Sequence, residues 1–248
     1  MANAYDSQFT TTAIGSMMRA AVWARCAARW APGVRVLEMN CGTGEDALWL
    51  ASRGVHVLAT DASPQMLRVA HDKLSATAAG ASVRLRRLAW EELDSLDEGS
   101  FDGALSDFGG LNCVSDLQGA SHALAQKLRP GAVAILCIMG PHVPWEWLWF
   151  LARADGARAF RRLRPNVRWG GIAVHYPSVA EARRAFAREF RLLRVSALGA
   201  LLPPPYAEKC LGRYPRVIGL LNRVERRFEN RWPLPLLADH YLVELERI

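Results

Sequence analysis

Residues 35–46, RVLEMNCGTGED, combine a short apolar run with a turn that holds two glycines and three acidic side chains. Glycines allow the backbone to turn tightly and to approach a ligand closely, as in the nucleotide-binding turns that follow β-strands. Glu38 closes the apolar run, and Glu45 and Asp46 fall in the first turn of the predicted helix that follows. Three carboxylates would repel a phosphate, whereas the helix dipole stabilises one by only about 0.3–1 kcal/mol. The turn therefore favours a cationic ligand over a pyrophosphate.

Another acidic residue, Asp61, follows the next apolar run, VHVLAT. It lies about 20 residues beyond the glycine turn, where an acid can accept hydrogen bonds from both hydroxyls of a ribose. Such an acid suits a dinucleotide equally well, and GTGEDA also matches the dinucleotide fingerprint G-x-G-x-x-A. An NAD(P)-dependent enzyme is therefore an alternative, although the acidic turn argues against it.

The elements that must position these residues alternate regularly through the first 140 residues. Apolar runs predict β-strands, and the segments between them have helical spacing, which is typical of a doubly wound parallel α/β sheet. The predicted strands are 34–38, 55–60, 83–88, 101–106 and 132–139, and the predicted helices are 20–30, 45–53, 64–79 and 117–128. In such a sheet, ligands bind at the carboxyl ends of the strands.

After Gly140 the alternation ends. Residues 144–165, PWEWLWFLARADGARAFRRLRP, predict a helical insert that caps the sheet after its fifth strand, followed by a short strand and a helix with a capping box at Ser178 and Glu181. A strand at 191–201, a basic helix at 216–230 and a last strand at 240–247 complete the chain. We expect one domain over 1–248: an N-terminal helical arm (1–30), a ligand-binding core (31–140), a cap insert (141–189), and the last strands with the basic helix (190–248).

The chain of 248 residues has 31 Lys and Arg against 24 Asp and Glu, which gives a net charge of +7. The excess lies in residues 141–248, which hold 19 of these basic residues against 10 acidic ones. This surplus is typical of a solvated basic face. It would also suit an acidic substrate, a nucleic acid or an anionic surface.

The five cysteines are scattered, and no C-x-x-C or Cys/His cluster occurs, so we expect reduced thiols and no bound metal. They are Cys26, Cys41, Cys113, Cys137 and Cys210. No run reaches the roughly 18 uninterrupted apolar residues of a membrane span. The N-terminal residues lack the pattern of a secretory signal, so we expect a cytoplasmic protein.

Four segments follow the order and spacing of a known family: RVLEMNCGTGEDALWLA, VHVLATDASPQMLRVA, WEELDSLDEGSFDGALSDFG and LAQKLRPGAVAILCIMG. From about residue 30 to residue 140 the chain thus resembles the class I S-adenosylmethionine (SAM)-dependent methyltransferases, and most closely the small-molecule group that includes ubiquinone and menaquinone methyltransferases. The resemblance implies a Rossmann-like sheet of seven strands with the last strand antiparallel. It also implies methyl transfer from SAM, which is cationic, to O, N or activated carbon of a small, partly aromatic or apolar acceptor, with S-adenosylhomocysteine (SAH) as product.

Two positions depart from the family pattern. Asn40 stands where the first glycine of the turn is usual, and asparagine tolerates a left-handed backbone. After the third strand, Ala89, Trp90 and Glu91 replace the acidic residue that usually reads adenine, so Trp90 or Glu91 is expected to hold this ring. The segment SDFGGLNC also lacks the Asn/Asp-Pro-Pro-Tyr signature of methyltransferases that act on DNA bases or amide nitrogens.

The expected cofactor-binding residues lie in the arm and at the ends of the first four strands. They are Tyr5, Arg19, Glu38, Asn40, Cys41, Gly42, Gly44, Asp61, Ala62, Met66, Trp90, Glu91, Ser106, Asp107 and Phe108. His142, His175 and Tyr176 are candidate catalytic residues that could take a proton from the acceptor. In-line methyl transfer depends largely on proximity and orientation, so a base need not exist.

Several alternatives stay open from the sequence. Arginines between residues 153 and 168 could hold an acidic acceptor or could simply face solvent. An RNA methyltransferase and a SAM-binding protein without catalysis are the competing functions, although we do not expect a nucleic-acid partner. The protein could be a monomer or a homodimer.

Overall fold

Five parallel strands form most of the main sheet. They are β1 (Arg35–Met39), β2 (His56–Asp61), β3 (Val83–Arg87), β4 (Phe101–Ser106) and β5 (Leu128–Met139). The computed structural model describes residues 6–164, 167–208 and 212–248, so Tyr5 and Cys210 lie outside the described residues. All five strands overlap the predicted runs.

Two antiparallel contacts complete the sheet. β9 (His240–Arg247) lies between β5 and β8 (Phe190–Leu198) and runs antiparallel to both, in the strand order β3-β2-β1-β4-β5-β9-β8. This arrangement confirms the predicted seven-stranded, mostly parallel sheet with an antiparallel last strand. Because of its direction, β9 begins at the edge where the parallel strands end, and His240 pairs with Met139 there.

Helices cover both faces of the sheet. They are α1 (Ala13–Arg29), α2 (Glu45–Ser52), α3 (Pro64–Ser75), α4 (Leu117–Lys127), α5 (Pro144–Leu151), α6 (Gly156–Ala159), α7 (Val179–Phe186) and α8 (Pro215–Phe228). One-turn helices occur at Asp6–Thr10, Ala78–Ser82, Trp90–Ser95, Leu111–Cys113, Arg161–Leu163, Pro205–Ala207 and Leu234–Leu236. Among the helices that the structure describes, none is both long and apolar enough to cross a membrane.

The apolar side chains of β5 alternate between two buried cores. Ile135 and Cys137 pack with Ile14 and other α1 residues on one face, whereas Leu136 packs with Leu124 and other residues from α4 and α7 on the opposite face. Successive side chains of a strand point to opposite faces, so a strand covered on both sides has to be apolar throughout. This explains the unbroken apolar sequence of β5.

Several element boundaries differ from the prediction, and three of them are at helix ends where the local reason is clear. α1 begins at Ala13 rather than at residue 20, because the Thr12 hydroxyl accepts a hydrogen bond from the Gly15 N–H and caps the helix. α3 ends at Ser75 and gives way to the one-turn helix Ala78–Ser82, so the predicted end at residue 79 is wrong. Leu128 begins β5 and does not end the preceding helix.

The predicted helical insert after β5 consists of short, interrupted helices, and its role as a cap on the sheet stays a prediction. α5 stops at Leu151, Ala154 takes a left-handed φ of 56°, and a new turn begins at Asp155, whose side chain accepts from the Arg158 N–H. A hairpin then pairs β6 (Val167–Trp169) with β7 (Ile172–Val174). The predicted capping box at Ser178 and Glu181 is confirmed at the start of α7.

Candidate functional site

A cleft of about 640 Å³, counting its part open to solvent, lies at the carboxyl ends of β1, β2 and β4. Ligands bind at this edge in doubly wound sheets. Eight predicted cofactor-binding residues line it: Arg19, Asn40, Cys41, Gly42, Asp61, Met66, Asp107 and Phe108. Sequence reasoning left out five further lining residues: Thr43, Glu45, Asp46, Gly109 and Gly110.

The glycine turn has the left-handed conformations that its sequence predicts. Asn40, Gly42 and Gly44 have φ values of 52°, 54° and 75°. A Cβ added at Gly42 would meet nothing within 4 Å, so backbone approach to a ligand is free there. A Cβ at Gly44 would lie 3.0 Å from the Ala70 Cβ, so this glycine allows the turn to pack on α3 and does not line the cleft.

The Asn40 side chain connects the ends of β1 and β4. Its Nδ2 donates to the Asp107 carbonyl at 2.7 Å, and its Oδ1 accepts from the Ser106 hydroxyl at 2.7 Å and from the Trp90 indole at 3.4 Å. A Cβ at Gly110 would lie only 1.9 Å from the Asn40 Cγ. The asparagine that departs from the family pattern therefore depends on a glycine in the loop after β4.

Besides Glu38 and Gly44, four predicted cofactor residues lie outside the lining of the cleft. Trp90 is buried in the core and reaches the site only through Asn40, and Ser106 is likewise buried. Glu91 and Ala62 are exposed. The expectation that Trp90 or Glu91 holds adenine stays a prediction.

Three acidic side chains are buried together around one arginine at the base of the cleft. Asp46 contacts Arg19 and also accepts from the Trp23 indole at 2.6 Å. Glu38, buried behind the lining, and Asp107 each have a carboxylate oxygen, Oε2 and Oδ2, that accepts no hydrogen bond from any residue that the structure describes. Buried carboxylate oxygens rarely lack partners, so this cluster is incomplete as it stands.

The environment of the cluster shifts the pKa of two of its carboxyl groups, Glu38 and Asp107. Burial raises the pKa of Glu38 well above its usual range, and the nearby Asp46 and Asp107 raise it further. Burial, followed by the charge of Asp46, raises the pKa of Asp107 to about 8. Arg19 opposes both shifts without cancelling them. A ligand cation placed here would stabilise the ionised carboxylates.

The Asp61 carboxylate is held in a fixed orientation at the end of β2. Its Oδ2 accepts from the Gly42 N–H at 2.9 Å and its Oδ1 from the Ser63 N–H at 2.8 Å. Burial raises the pKa of Asp61 despite these two bonds, which lower it. Each oxygen can still accept a second hydrogen bond, so the carboxylate can receive two ligand hydroxyls.

The described part of the N-terminal arm packs over the glycine turn. Asp6 accepts from the Thr43 hydroxyl at 2.7 Å and from the Lys73 ammonium at 3.0 Å, and Lys73 also donates to Glu45 at 2.8 Å. Burial alone would raise the pKa of Asp6, but the bonds from Thr43 and Lys73 leave it below its usual value. The arm is thus hydrogen-bonded both to the glycine turn, through Thr43, and to α3, through Lys73.

Aromatic rings close the end of the cleft near β4. The Phe9 ring lies edge-on to Phe108 with centroids 4.5 Å apart, and the Arg19 guanidinium lies 4.9 Å from the Phe108 centroid. Behind Phe108 stands His240, buried at the start of β9, with ring centroids 5.5 Å apart. The His240 Nδ1 lies 3.2 Å from Asp239 Oδ2.

The three predicted catalytic residues do not line the cleft. His142 and His175 are exposed, and Tyr176 is half-buried with the Arg162 guanidinium 5.2 Å from its ring centroid. Burial raises the pKa of Tyr176, although Arg162 lowers it. Sequence reasoning missed His240. The sequence feature that could have identified His240 is its position at the start of the last strand. Because this strand is antiparallel to β5, its first residue lies at the carboxyl edge of the parallel strands.

The insert is attached to this edge through Arg162. Arg162 donates to Glu146 Oε2 at 3.0 Å, to the Gly140 carbonyl at 3.1 Å and to the Asp239 carbonyl at 2.9 Å, and it also contacts the Asp239 carboxylate. Burial alone would raise the pKa of Asp239, but Arg162 and His240 hold it below its usual range. Arg162 thus has internal partners, and the idea that it holds an acidic acceptor is not supported.

No group of three or more His, Cys, Asp or Glu in the described part of the chain is placed to hold a metal ion. Cys26, Cys41, Cys113 and Cys137 are free thiols.

Comparison with known proteins points to one family. Residues 36–131 match the family model described as a methyltransferase domain. The chain is 34% identical over 135 residues to a 2-phytyl-1,4-naphtoquinone methyltransferase of Synechococcus elongatus, a match covering 50% of this chain and 55% of that protein. It is 30% identical over 146 residues to a demethylmenaquinone methyltransferase of Clavibacter sepedonicus, covering 58% of this chain and 57% of that protein. The chain thus spans just over half the length of these relatives.

A solved structure shares the fold over nearly the whole chain. It is a magnesium protoporphyrin IX methyltransferase from Synechocystis with bound SAH, with a TM-score of 0.59 and 18% sequence identity, covering 94% of this chain and 83% of that one. The likeness shows that the sheet and its helices form the Rossmann-like methyltransferase fold. On these matches, residues 36–131 are similar to a methyltransferase domain, and the chain has the fold of that solved methyltransferase.

Proposed function

We propose that the chain is an enzyme that transfers a methyl group from SAM to a small-molecule acceptor. The observation that carries this proposal is the incomplete acidic cluster in the cleft, where Glu38 and Asp107 each have an unpartnered oxygen. A cationic ligand completes such a cluster, whereas a pyrophosphate would add negative charge to it. The acidic turn thus argues against the NAD(P)-dependent alternative.

The residues present fit SAM. Asp61 would accept hydrogen bonds from the ribose hydroxyls, the acidic cluster would stabilise the cationic methionine end, and Arg19 would bind its carboxylate. When bound, SAM supplies an electrophilic methyl group on a sulfonium. The chain orients the reactants and excludes water through the arm, Phe9 and Phe108.

We infer an acceptor that is partly aromatic or apolar, such as a quinone-like compound or a natural product. The names of the curated relatives support this choice, as does the aromatic wall of Phe108 at the end of β4. His240 does not line the cleft either, but it packs against the lining residue Phe108, so we propose it, rather than the exposed His142 or His175, as the group that takes a proton from an acceptor hydroxyl. Asp239 would orient its ring and stabilise the imidazolium that forms. The free thiols support a reducing, cytoplasmic compartment.

Calorimetric titration with SAH and with NAD tests the cofactor. We expect SAH to bind and NAD not to bind. Asp61→Asn and Glu38→Gln should each weaken SAH binding at least about tenfold, a loss of about 1.4 kcal/mol. Asp97→Asn removes an exposed carboxylate outside the cleft and should leave the affinity unchanged. Binding of NAD in place of SAH would refute the proposal.

Incubation with labelled SAM and a panel of reduced quinones and phenols tests the reaction. Transfer to a member of the panel, lost in His240→Gln with SAH affinity retained, is the expected result. SAH binding without transfer to any acceptor would favour a SAM-binding protein without catalysis. Transfer to RNA, with steeply salt-dependent binding, would favour the RNA methyltransferase.

A further inference from the structure

The outer face of α8 is an exposed apolar stripe. Val217, Leu220, Val224 and Phe228 are 53%, 55%, 38% and 47% exposed. Their spacing of three or four residues places them along one side of the helix. The inner side carries the buried Ile218 and Glu225. No neighbouring element in the described part of the chain covers this apolar stripe.

A row of arginines runs beside the apolar stripe. Arg216, Arg223 and Arg227 each precede a stripe residue by one position, so the row lies on one flank of the stripe, and all three side chains are exposed. Within the described residues none of the three forms an ion pair, whereas the neighbouring Arg226 pairs with Glu229. Three positive charges on this face thus have no ion-pair partner among the residues that the structure describes.

Aromatic side chains stand near both ends of the helix. Tyr214 precedes α8 and is 49% exposed, and Trp232 follows it and is 66% exposed. Tyr and Trp favour the boundary between water and the apolar part of a membrane. The two residues thus mark the ends of a helix that is about 21 Å long at the usual rise per residue.

We propose that α8 docks on the surface of an anionic lipid bilayer, with the apolar stripe among the acyl chains and the arginine row at the lipid phosphates. A helix with separate apolar and arginine faces binds membranes in this orientation. Each arginine near an anionic leaflet adds about 1 kcal/mol of attraction. This property goes beyond the proposed methyl transfer and does not rest on it.

The charge pattern argues against the other occupants. A second copy docking symmetrically would bring two arginine rows together, and like charges repel. A nucleic acid would engage the arginines but offers the four apolar side chains little to contact. Of these three occupants, the anionic bilayer alone satisfies both features.

Flotation of the purified chain with lipid vesicles tests the proposal in the absence of SAM. The chain should float with vesicles of phosphatidylcholine and phosphatidylglycerol, and much less with phosphatidylcholine alone. Leu220→Asp should weaken this binding at least about tenfold. Ile248→Asp is the matched control, because Ile248 is 59% exposed at another site and the change in charge is the same.

A second pair of variants tests the arginine row. The triple variant Arg216→Gln, Arg223→Gln, Arg227→Gln should lose at least about tenfold in vesicle affinity. The control triple variant Arg183→Gln, Arg184→Gln, Arg188→Gln removes an equal charge from exposed positions on or next to α7. It should retain the vesicle affinity of the wild type. Circular dichroism checks that all variants are folded. Equal losses in test and control variants would overturn the proposal. It would likewise fail if wild type did not float, or if sedimentation showed a dimer that Leu220→Asp dissociates.

Discussion

At the scale of single residues, Asn40 shows how a side chain can replace the glycine of a binding turn. It keeps the left-handed backbone, with φ at 52°, and its amide makes two hydrogen bonds to the end of β4 and a third to Trp90 after β3. Asparagine at position 40 also requires a glycine at position 110, because the Asn40 amide fills the space that a Cβ at Gly110 would need. The two positions should therefore be energetically coupled.

Gly110→Ala should destabilise the protein by about 1–3 kcal/mol, because its methyl group would collide with Asn40. Gly110 itself has φ near −60°, so alanine causes no backbone strain there. Asn40→Gly should also destabilise the protein through the lost hydrogen bonds, by about 1–3 kcal/mol. In the double variant the collision disappears, so the combined loss should be clearly smaller than the sum of the single losses. Urea unfolding of the four proteins measures this difference.

Additive effects would contradict the coupling and would mean that the loop after β4 moves away from Asn40. Gly131→Ala is a useful reference, since a Cβ there meets nothing within 4 Å but φ is 79°. The loss of stability in Gly131→Ala measures backbone strain alone. It should be additive with Asn40→Gly because the two sites are independent.

At the scale of elements, the insert is joined to the sheet through one buried arginine. The Arg162 guanidinium bridges Glu146 on α5, the end of β5 at Gly140 and the residue before β9, Asp239. Both carboxylates and the arginine are buried, so each depends on the others for charge balance. The position of the insert therefore depends on this network more than on the partly exposed helices around it.

Arg162→Met should destabilise the protein by about 3–5 kcal/mol, because Asp239 loses its main cation and Glu146 keeps only Arg161. Arg162→Lys should lose less, since it keeps the charge but not the forked geometry. Arg168→Met changes an exposed arginine of the same insert and should cost under about 0.5 kcal/mol. Thermal and urea unfolding measure these differences. An Arg162→Met protein as stable as Arg168→Met would contradict the network's importance.

The sequence predicted the regular part of the fold because each strand carries its own signal. β1, β2, β4 and β5 are largely apolar runs, β3 alternates apolar and basic residues, and alternation with helices implies the parallel sheet. The insert gave an incomplete signal. Its alanines, arginines and tryptophans suit a helix, but they do not reveal the left-handed turn at Ala154, and of the two strands of the hairpin only β7 was predicted.

The site was predictable to the extent that its residues adjoin the motifs. The glycine turn and Asp61 follow their strands directly, so their type and position were visible in the sequence. His240 lies 133 residues after Asp107 in the chain and reaches the site only because β9 runs antiparallel. The unpartnered oxygens of Glu38 and Asp107 are likewise a property of burial in the folded chain.

At the scale of the whole molecule, charge is strongly segregated. A chain with a net charge of +7 buries several carboxylates around its cleft and exposes arginines such as those of α8. The protein therefore combines an interior that favours a cation with a surface that favours anions. The interior arrangement costs stability when the cleft holds no cation, because neighbouring carboxylates repel.

This cost predicts how stability depends on pH. With its pKa at about 8, folded Asp107 holds a proton that the unfolded chain, with a usual value of 3.8, has already lost. Between these values the folded state binds more protons, so the free energy of unfolding should fall as pH rises, by at most about 1.4 kcal/mol per pH unit for one proton. Glu38 shifts in the same direction. Asp107→Asn should flatten this dependence, and Asp97→Asn, at an exposed position, should leave it unchanged.

Urea unfolding from about pH 5 to about pH 9 measures this slope directly. Saturating SAH should reduce the slope in the wild type, because a bound ammonium favours the ionised carboxylates and lowers their pKa. For the same reason, binding SAH near pH 7 should release protons, and the heat of binding should change with the ionisation enthalpy of the buffer. Parallel slopes for wild type and Asp107→Asn would show that Asp107 is ionised in the folded protein at neutral pH. The cluster would then have to be balanced by Arg19 alone.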